Sequence, residues 1–235
     1  MTSEPPSPDD FGFRVDARLP NGLGRAGVIR TPHGQIETPA FIVVGTKANV
    51  KAVLPEQIAQ LGGQAVLANA FHLYLQPGSD IVDEAGGVGA FMNWPGPTFT
   101  DSGGFQVMSL GAGFKKVLAM DVTGLQNDEV IAEGKQRQAH VDDDGVWVNS
   151  PSNGDRHRFT PEISMTVQHQ LGADIIFAFD ELTTLLNTRG YQETSVQRTQ
   201  AWAQRCLVAH RELTAQRVHR PYQALFGVVQ GAQYE

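Results

Sequence analysis

The chain has 235 residues, of which 41% are hydrophobic and 18% charged, a composition typical of a globular protein and unlike that of a disordered chain. A chain of this length buries about 70% of its unfolded surface, so we expect it to be stable without disulfides. Its formal net charge is −7. This balance lacks the basic excess expected of a nucleic-acid-binding protein.

The cysteine count and the hydropathy pattern indicate the cellular compartment. Cys206 is the only cysteine in the sequence, which excludes an internal disulfide and a cysteine-built zinc site in this chain. No apolar run reaches the ~18 residues of a membrane helix, and the acidic, proline-rich N-terminus is unlike a signal peptide. We therefore expect a cytoplasmic protein with no membrane partner.

The first 39 residues have a different sequence pattern from the rest of the chain. Residues 1–10 (MTSEPPSPDD) predict a disordered tail. Between residues 11 and 39, the turn signals Asn21-Gly22 and His33-Gly34 separate short alternating segments. This pattern predicts a region of antiparallel strands.

Beyond residue 39, apolar runs alternate with amphipathic stretches. The runs predict five buried strands, at 40–45, 65–71, 99–110 (with its exit loop), 173–179 and 224–229. Helices are predicted at 54–62, 77–85, 160–171 and 192–217, the third with Thr160 as its N-cap. The residues that share one face of the last helix are Val196, Thr199, Ala203, Cys206, His210 and Leu213. Residues 112–159 are polar and predict an inserted β-hairpin.

Buried strands that alternate with helices predict parallel βαβ units in an α/β fold. Polar residues follow these strands, at the edge where both (β/α)8 TIM barrels and doubly wound sheets hold their active sites. No GxGxxG or Walker motif follows the first strand, which favours the barrel. Because five of eight strands are predicted, we expect residues 11–235 to form an incomplete barrel, the front part of a longer protein.

The hexapeptide Asp101–Gln106 (DSGGFQ) is the most distinctive motif. A carboxylate leaves a strand, two glycines allow the backbone to approach a ligand, and the ring of Phe105 offers a stacking face. This combination suits a planar ligand. The alternative is a glycine turn in which Asp101 caps a neighbouring element and Phe105 belongs to the core.

Three other strand ends carry polar candidates. Asp180 follows an apolar strand, so its carboxylate must be hydrogen-bonded or titrate upward; it suits the amidine edge of guanine or a structural role in a loop. Gln230 is a neutral donor and acceptor that can read a heterocycle or bond the backbone. Asn69 and His72 flank a third strand end, where a structural role is favoured for the histidine.

The chain resembles the bacterial-type tRNA-guanine transglycosylases, also called queuine tRNA-ribosyltransferases, from about residue 11 to its end. The resemblance rests on blocks that follow one another in the family's order. The blocks are TPAF with VGT and VK (38–51), NAFHL (69–73), FMNW (91–94), DSGGFQV (101–107), ADIIFAFDE (173–181), RT with WA and RC (198–206) and FGVVQG (226–231).

This resemblance implies a (β/α)8 barrel that exchanges guanine at the anticodon wobble position of tRNA for a 7-substituted 7-deazaguanine. The family mechanism is a retaining glycosyl transfer through a covalent aspartyl intermediate. Asp101 would be the general base, Phe105 would stack on the purine, Asp180 would accept from its ring N–H and amine, and Gln230 would bond the O6 side. The residues expected to contact the base are Ser102, Gly103, Gly104, Phe105, Asp180 and Gln230, with Asn69 and Gly231 as further candidates.

The chain departs from the family pattern in two ways. The nucleophilic aspartate and the zinc site of CxCxxC type lie later in the family than Glu235, so we expect this chain alone to be inactive and zinc-free. Leu182 stands where many members have a cysteine near the 7-substituent, which leaves both 7-aminomethyl-7-deazaguanine and queuine as candidate bases. The family also implies a homodimer that binds the tRNA anticodon loop.

Two other functions fit parts of the sequence. A non-catalytic subunit of the same fold would bind tRNA or a partner without the nucleophile, although it would be free to lose the pocket residues that this chain retains. An unrelated barrel glycosidase would use Asp101 and Asp180 as its carboxylate pair, but an aromatic residue beside a carboxylate suits a purine better.

Overall fold

The computed structural model describes residues 8–104, 139–150, 153–183, 187–218 and 220–234. Phe105, Gln106 and most of the predicted inserted hairpin lie outside these ranges. Pro8–Asp10 form a short 3₁₀ turn, in which the Asp9 carbonyl accepts a hydrogen bond from Arg30 Nη2 at 2.7 Å. The rest of the predicted tail also lies outside the described residues.

Eleven strands and six α-helices are described. In chain order the strands are β1 Gly12–Arg18, β2 Arg25–Thr31, β3 Gly34–Thr38, β4 Val43–Val44, β5 Val66–Ala68, β6 Thr98–Thr100, β7 Ala139–Asp142, β8 Gly145–Asn149, β9 Arg156–Phe159, β10 Ile175–Phe177 and β11 Ala224–Phe226. The α-helices are α1 Pro55–Gln60, α2 Ala70–Leu75, α3 Ser79–Glu84, α4 Val88–Phe91, α5 Pro161–Leu171 and α6 Arg189–Gln216. Within the described ranges, no helix is long and apolar enough to span a membrane.

The predicted parallel sheet is confirmed. Its five strands are all parallel and lie in the order β4-β5-β6-β10-β11, so each strand pairs with the one that precedes it in this sheet. A doubly wound sheet reverses its strand order at a switch point, whereas the strands of a barrel follow one another around the axis. The observed order has no such reversal, which favours a barrel over a doubly wound sheet.

The prediction that the first and last of these strands are buried on both faces is wrong. Val44 in β4 is 55% exposed, and Phe226 in β11 is 42% exposed. Both strands form the edges of the described sheet, so neighbours cover only one side of each. Phe41 and Val229, which lie just outside these strands, are exposed as well.

The two antiparallel regions flank the parallel sheet. Strands β1, β2 and β3 form the N-terminal sheet, as predicted from the turn signals. Strands β7, β8 and β9 form a second three-stranded sheet, which adds one strand to the predicted hairpin. Its Phe159 enters the main core, where the ring centroids of Phe71 and Phe179 both lie 5.7 Å away.

Helix boundaries follow local signals where those signals exist. α5 begins after Thr160, whose Oγ1 accepts from Ile163 N at 3.3 Å, and it ends before Gly172 at a φ of +71°. α6 starts three residues earlier than predicted because Thr188 caps it. The predicted strand at 65–71 is wrong beyond Ala68, since Ala70 and Phe71 open α2.

Candidate active site

The parallel strands bring the predicted site residues to one edge of the sheet. Asn69 directly follows β5, Asp101 directly follows β6, Asp180 lies three residues after β10, and Gln230 lies four residues after β11. These four strands are consecutive neighbours, so their carboxyl ends form one continuous rim.

Asp101 is fixed by donors from the preceding strand end. Its Oδ2 accepts from the side-chain amide of Asn69, and its Oδ1 accepts from the N–H groups of Ala70 at 2.8 Å and Gly103 at 3.3 Å. Asp101 thus caps the start of α2, as the alternative interpretation of the hexapeptide expected. These bonds also hold the carboxylate in one orientation at the rim.

Asp180 is half-buried and is bonded to the Asp101 loop. Ser102 Oγ donates to Asp180 Oδ1 at 3.0 Å, and Ser164 Oγ donates to the Ser102 carbonyl at 2.7 Å. Burial raises the pKa of the Asp180 carboxyl, the Ser102 hydrogen bond opposes this, and the charge of Asp101 adds to the rise. A further hydrogen-bond donor supplied by a ligand would therefore stabilise the ionised form of the Asp180 carboxyl.

The glycine pair allows the two carboxylate loops to approach each other. A Cβ on Gly104 would lie 2.6 Å from the backbone oxygen of Asp180, so a side chain there would force the loops apart. Gly103 has a φ of +82°, which a side chain would strain. Gly104 N–H donates to Ser102 Oγ at 3.2 Å, which completes the turn. The predicted stacking residue, Phe105, lies outside the described residues.

Gln230 is half-buried and anchored to helix α6. Its Nε2 donates to Thr199 Oγ1 at 2.6 Å, which leaves its second amide proton and Oε1 for another partner. Gly231 follows at a φ of +143°, a conformation that favours glycine. Thr199 belongs to the predicted shared face of the last helix, but no signal in the sequence indicates that it lies at the site.

Glu181 is a fully buried carboxylate. Tyr191 donates its hydroxyl to Oε1 at 2.6 Å, and Arg198 Nη1 donates to Oε2 at 2.5 Å. The Glu181 side chain therefore points away from the rim and into the helix that covers it. Arg198 also donates to Asp143 Oδ1 at the tip between β7 and β8.

The histidines and the cysteine fit the structural interpretations. Burial and the positive charge of Lys47 lower the pKa of His72, which is half-buried in α2. His169 and His210 are buried with Nε2 and Nδ1 2.9 Å apart. Cys206 has no exposed surface, as expected of a small core residue. In the described ranges, no group of three or more His, Cys, Asp or Glu residues is arranged to hold a metal ion.

Comparisons with known proteins identify the family of the chain. The family model "Queuine tRNA-ribosyltransferase" matches residues 21–235. The chain is 45% identical over 221 residues to a queuine tRNA-ribosyltransferase of Gloeobacter violaceus, which covers 94% of this chain and 49% of the relative. It is 42% identical over 225 residues to the queuine tRNA-ribosyltransferase of a Roseiflexus species, covering 94% of this chain and 55% of the relative.

A third relative, the queuine tRNA-ribosyltransferase of Geobacillus kaustophilus, is 43% identical over 212 residues, covering 90% of this chain and 47% of the relative. The chain thus spans about half the length of the curated relatives it matches. The family match covers more than half of the chain and includes every strand end that carries a candidate site residue. The chain belongs to the queuine tRNA-ribosyltransferase family.

Proposed function

We propose that the protein exchanges guanine at the anticodon wobble position of tRNA for a 7-deazaguanine, and that this chain supplies the base-binding part of its site. The observation that carries the proposal is the grouping of Asp101, Asp180 and Gln230 on three neighbouring strand ends. The relatives are named for action on queuine and tRNA, which supports the same substrate class.

The proposed base contacts follow from the hydrogen-bonding groups. The Asp180 carboxylate accepts from the ring N–H and the exocyclic amine of guanine, a donor pair that favours the ionised acid. Gln230 donates its second amide proton to O6. The glycine pair 103–104 brings the backbone close to the base, and Phe105 stacks on the ring.

The proposed exchange runs in two displacements with retention. A carboxylate, expected from a later part of the family pattern, bonds to the ribose C1′ as the bond from C1′ to guanine N9 breaks, and the departing guanine takes up a proton at N9 from water. Asp101 then takes the N9 proton of the incoming base, which attacks C1′ and releases the carboxylate. The bonds from Asn69 and Ala70 aim the Asp101 carboxylate for this proton transfer.

We also propose a fold, an oligomeric state and a tRNA position for the whole protein. Residues 11–235 form one part of an eight-stranded barrel, the whole protein is a homodimer, and the anticodon loop binds over the rim of the sheet. Sedimentation velocity of the whole protein, alone and with tRNA, measures the oligomeric state and the binding of tRNA.

The decisive experiment is incorporation of labelled guanine into unmodified tRNA by the whole protein. The proposal expects incorporation and its reversal by 7-aminomethyl-7-deazaguanine or queuine. The base that displaces label at the lower concentration is the substrate, and Leu182 is expected to contact its 7-substituent. Tight tRNA binding without incorporation would contradict the proposal and identify a non-catalytic tRNA-binding subunit.

A further inference from the structure

Helix α6 holds the loop that carries Asp180. Cys206 Sγ accepts from Phe179 N–H at 3.2 Å, and Thr199 Oγ1 accepts from Glu181 N–H at 3.1 Å. Ser195 Oγ donates to the Glu181 carbonyl at 2.9 Å. The backbone is thus bonded to one helix on both sides of Asp180, so the helix fixes where this carboxylate stands.

Thr199 also reaches the next strand end. Its Oγ1 accepts a second hydrogen bond, from Gln230 Nε2 at 2.6 Å. Thr199 is only 6% exposed, so water does not compete freely for this hydroxyl. One buried oxygen atom therefore connects the Asp180 loop to the Gln230 amide.

We propose that Thr199 is a positioning residue that sets the spacing and orientation of Asp180 and Gln230 for one edge of the purine. The inference rests on the proposed function, since it assigns both side chains to the base. Ring N–H and O6 are adjacent atoms on that edge, so their two partners must stand at a matching separation. Thr199 Oγ1 anchors the Gln230 amide and the backbone N–H of Glu181, the residue next to Asp180.

The hydroxyl also decides which end of the Gln230 amide faces the base. With Nε2 held by Thr199, a proton of the same NH₂ group is available to donate to O6. Without the hydroxyl, the amide can turn and present Oε1, an acceptor that repels O6. The Glu181 N–H also loses its acceptor, and an unpaired buried N–H is costly.

The test compares Thr199→Val, which removes the hydroxyl with little change of shape, with Thr199→Ser, which keeps it. Steady-state exchange in the whole protein gives KM for guanine, KM for tRNA and kcat, and equilibrium dialysis with labelled guanine gives Kd. Thr194→Val is the matched control on the same helix, since Thr194 is exposed and its hydroxyl donates to the Gly190 carbonyl of the same helix at 3.0 Å.

We expect Thr199→Val to raise KM and Kd for guanine about tenfold or more, while KM for tRNA stays unchanged. Thr199→Ser should remain within about threefold of the native protein, as should Thr194→Val. Combining Thr199→Val with Gln230→Ala should add less than the sum of the two effects, because Thr199 acts through Gln230.

An unchanged guanine Kd in Thr199→Val would overturn the inference, and so would equal losses in the valine and serine variants or a parallel rise in KM for tRNA. If the valine variant does not fold, Thr199→Ala replaces it, with the same expected rise in guanine KM. Absence of exchange in the native protein is a separate outcome, which would reject the proposed function itself.

Discussion

The carboxylate of Glu181 has no exposed surface and forms a 2.5 Å ion pair with Arg198, whose side chain is 16% exposed. Tyr191 donates to the other carboxylate oxygen. A buried ion pair adds little net stability over apolar residues, but loss of one partner leaves an uncompensated charge in the core. The loop behind the proposed base site therefore depends on Arg198.

Arg198→Met should lower the free energy of unfolding by about 3–5 kcal/mol, because Glu181 would remain buried without its cation. Arg189→Met on the same helix is the control, since Arg189 and Glu193 form an exposed pair worth about 0.5 kcal/mol or less. Urea denaturation measures both variants. Equal losses in the two would show that burial of Glu181 does not determine the effect.

Asp180→Asn should abolish guanine exchange, because an amide replaces one of the two acceptor oxygens with a donor that faces the purine N–H groups. tRNA binding should persist within about threefold, since Asp180 is assigned to the base alone. The matched control is Asp80→Asn, an exposed carboxylate in the first turn of α3. Exchange at the native rate in Asp180→Asn would refute the assignment of this carboxylate to guanine.

The buried pair His169 and His210 should make stability fall at acidic pH. Burial lowers the pKa of His169 to about 3 and that of His210 to about 4, against 6.5 in the unfolded chain. Between these values the unfolded chain binds more protons, so the free energy of unfolding decreases as the pH falls below 6.5. The decrease is up to about 1.4 kcal/mol per pH unit for each histidine.

Urea midpoints measured between pH 7.5 and 5 test this pair. A variant with His169→Gln and His210→Gln should show a shallower decline than the native chain. His33→Gln should make the decline of stability towards acidic pH steeper. The bond to Asp174 raises the pKa of His33, so protonated His33 stabilises the folded chain below pH 6.5. This stabilisation is lost as the pH rises through the pKa of His33 in the folded chain. An unchanged slope in the double variant would contradict the prediction.

The Cys206 thiol should be unreactive in the folded chain. Burial raises its pKa to about 12, and it has no exposed surface. Labelling by a disulfide reagent should be at least about 1000-fold slower than in urea, because it requires an opening that costs several kcal/mol. Fast native labelling would show that α6 opens locally and does not hold the Asp180 loop firmly.

Local chemistry explains which parts of the fold were predictable. The N-cap at Thr160 and the glycine after α5 lie beside the residues they control, so the sequence located that helix correctly. α2 was missed at Ala70 because its cap, Asp101, lies 31 residues later in the chain. Exposure of Val44 depends on its position at the sheet edge, which hydropathy alone does not report.

The candidate site was predictable to a similar extent. Asp101, Asp180 and Gln230 stand out because polar residues follow apolar strands. The bonds among them depend on packing between strands and α6, and Thr199 resembles any other residue of a buried helix face. The contact between Thr199 and Gln230 could not be predicted from local sequence, because the two residues are 31 positions apart.

The tip between β7 and β8 bears on the proposed interaction with tRNA. Asp142, Asp143 and Asp144 form the densest acidic run in the described chain, yet each faces a guanidinium group, from Arg158, Arg198 and Arg205 in turn. Opposite charges this close largely cancel beyond a Debye length of about 8 Å. Arg198 also pairs with Glu181 and Arg205 with Glu162, so three guanidinium groups offset part of the charge of five carboxylates. A polyanion that approaches this side of the molecule therefore meets less negative charge than the acidic run alone suggests.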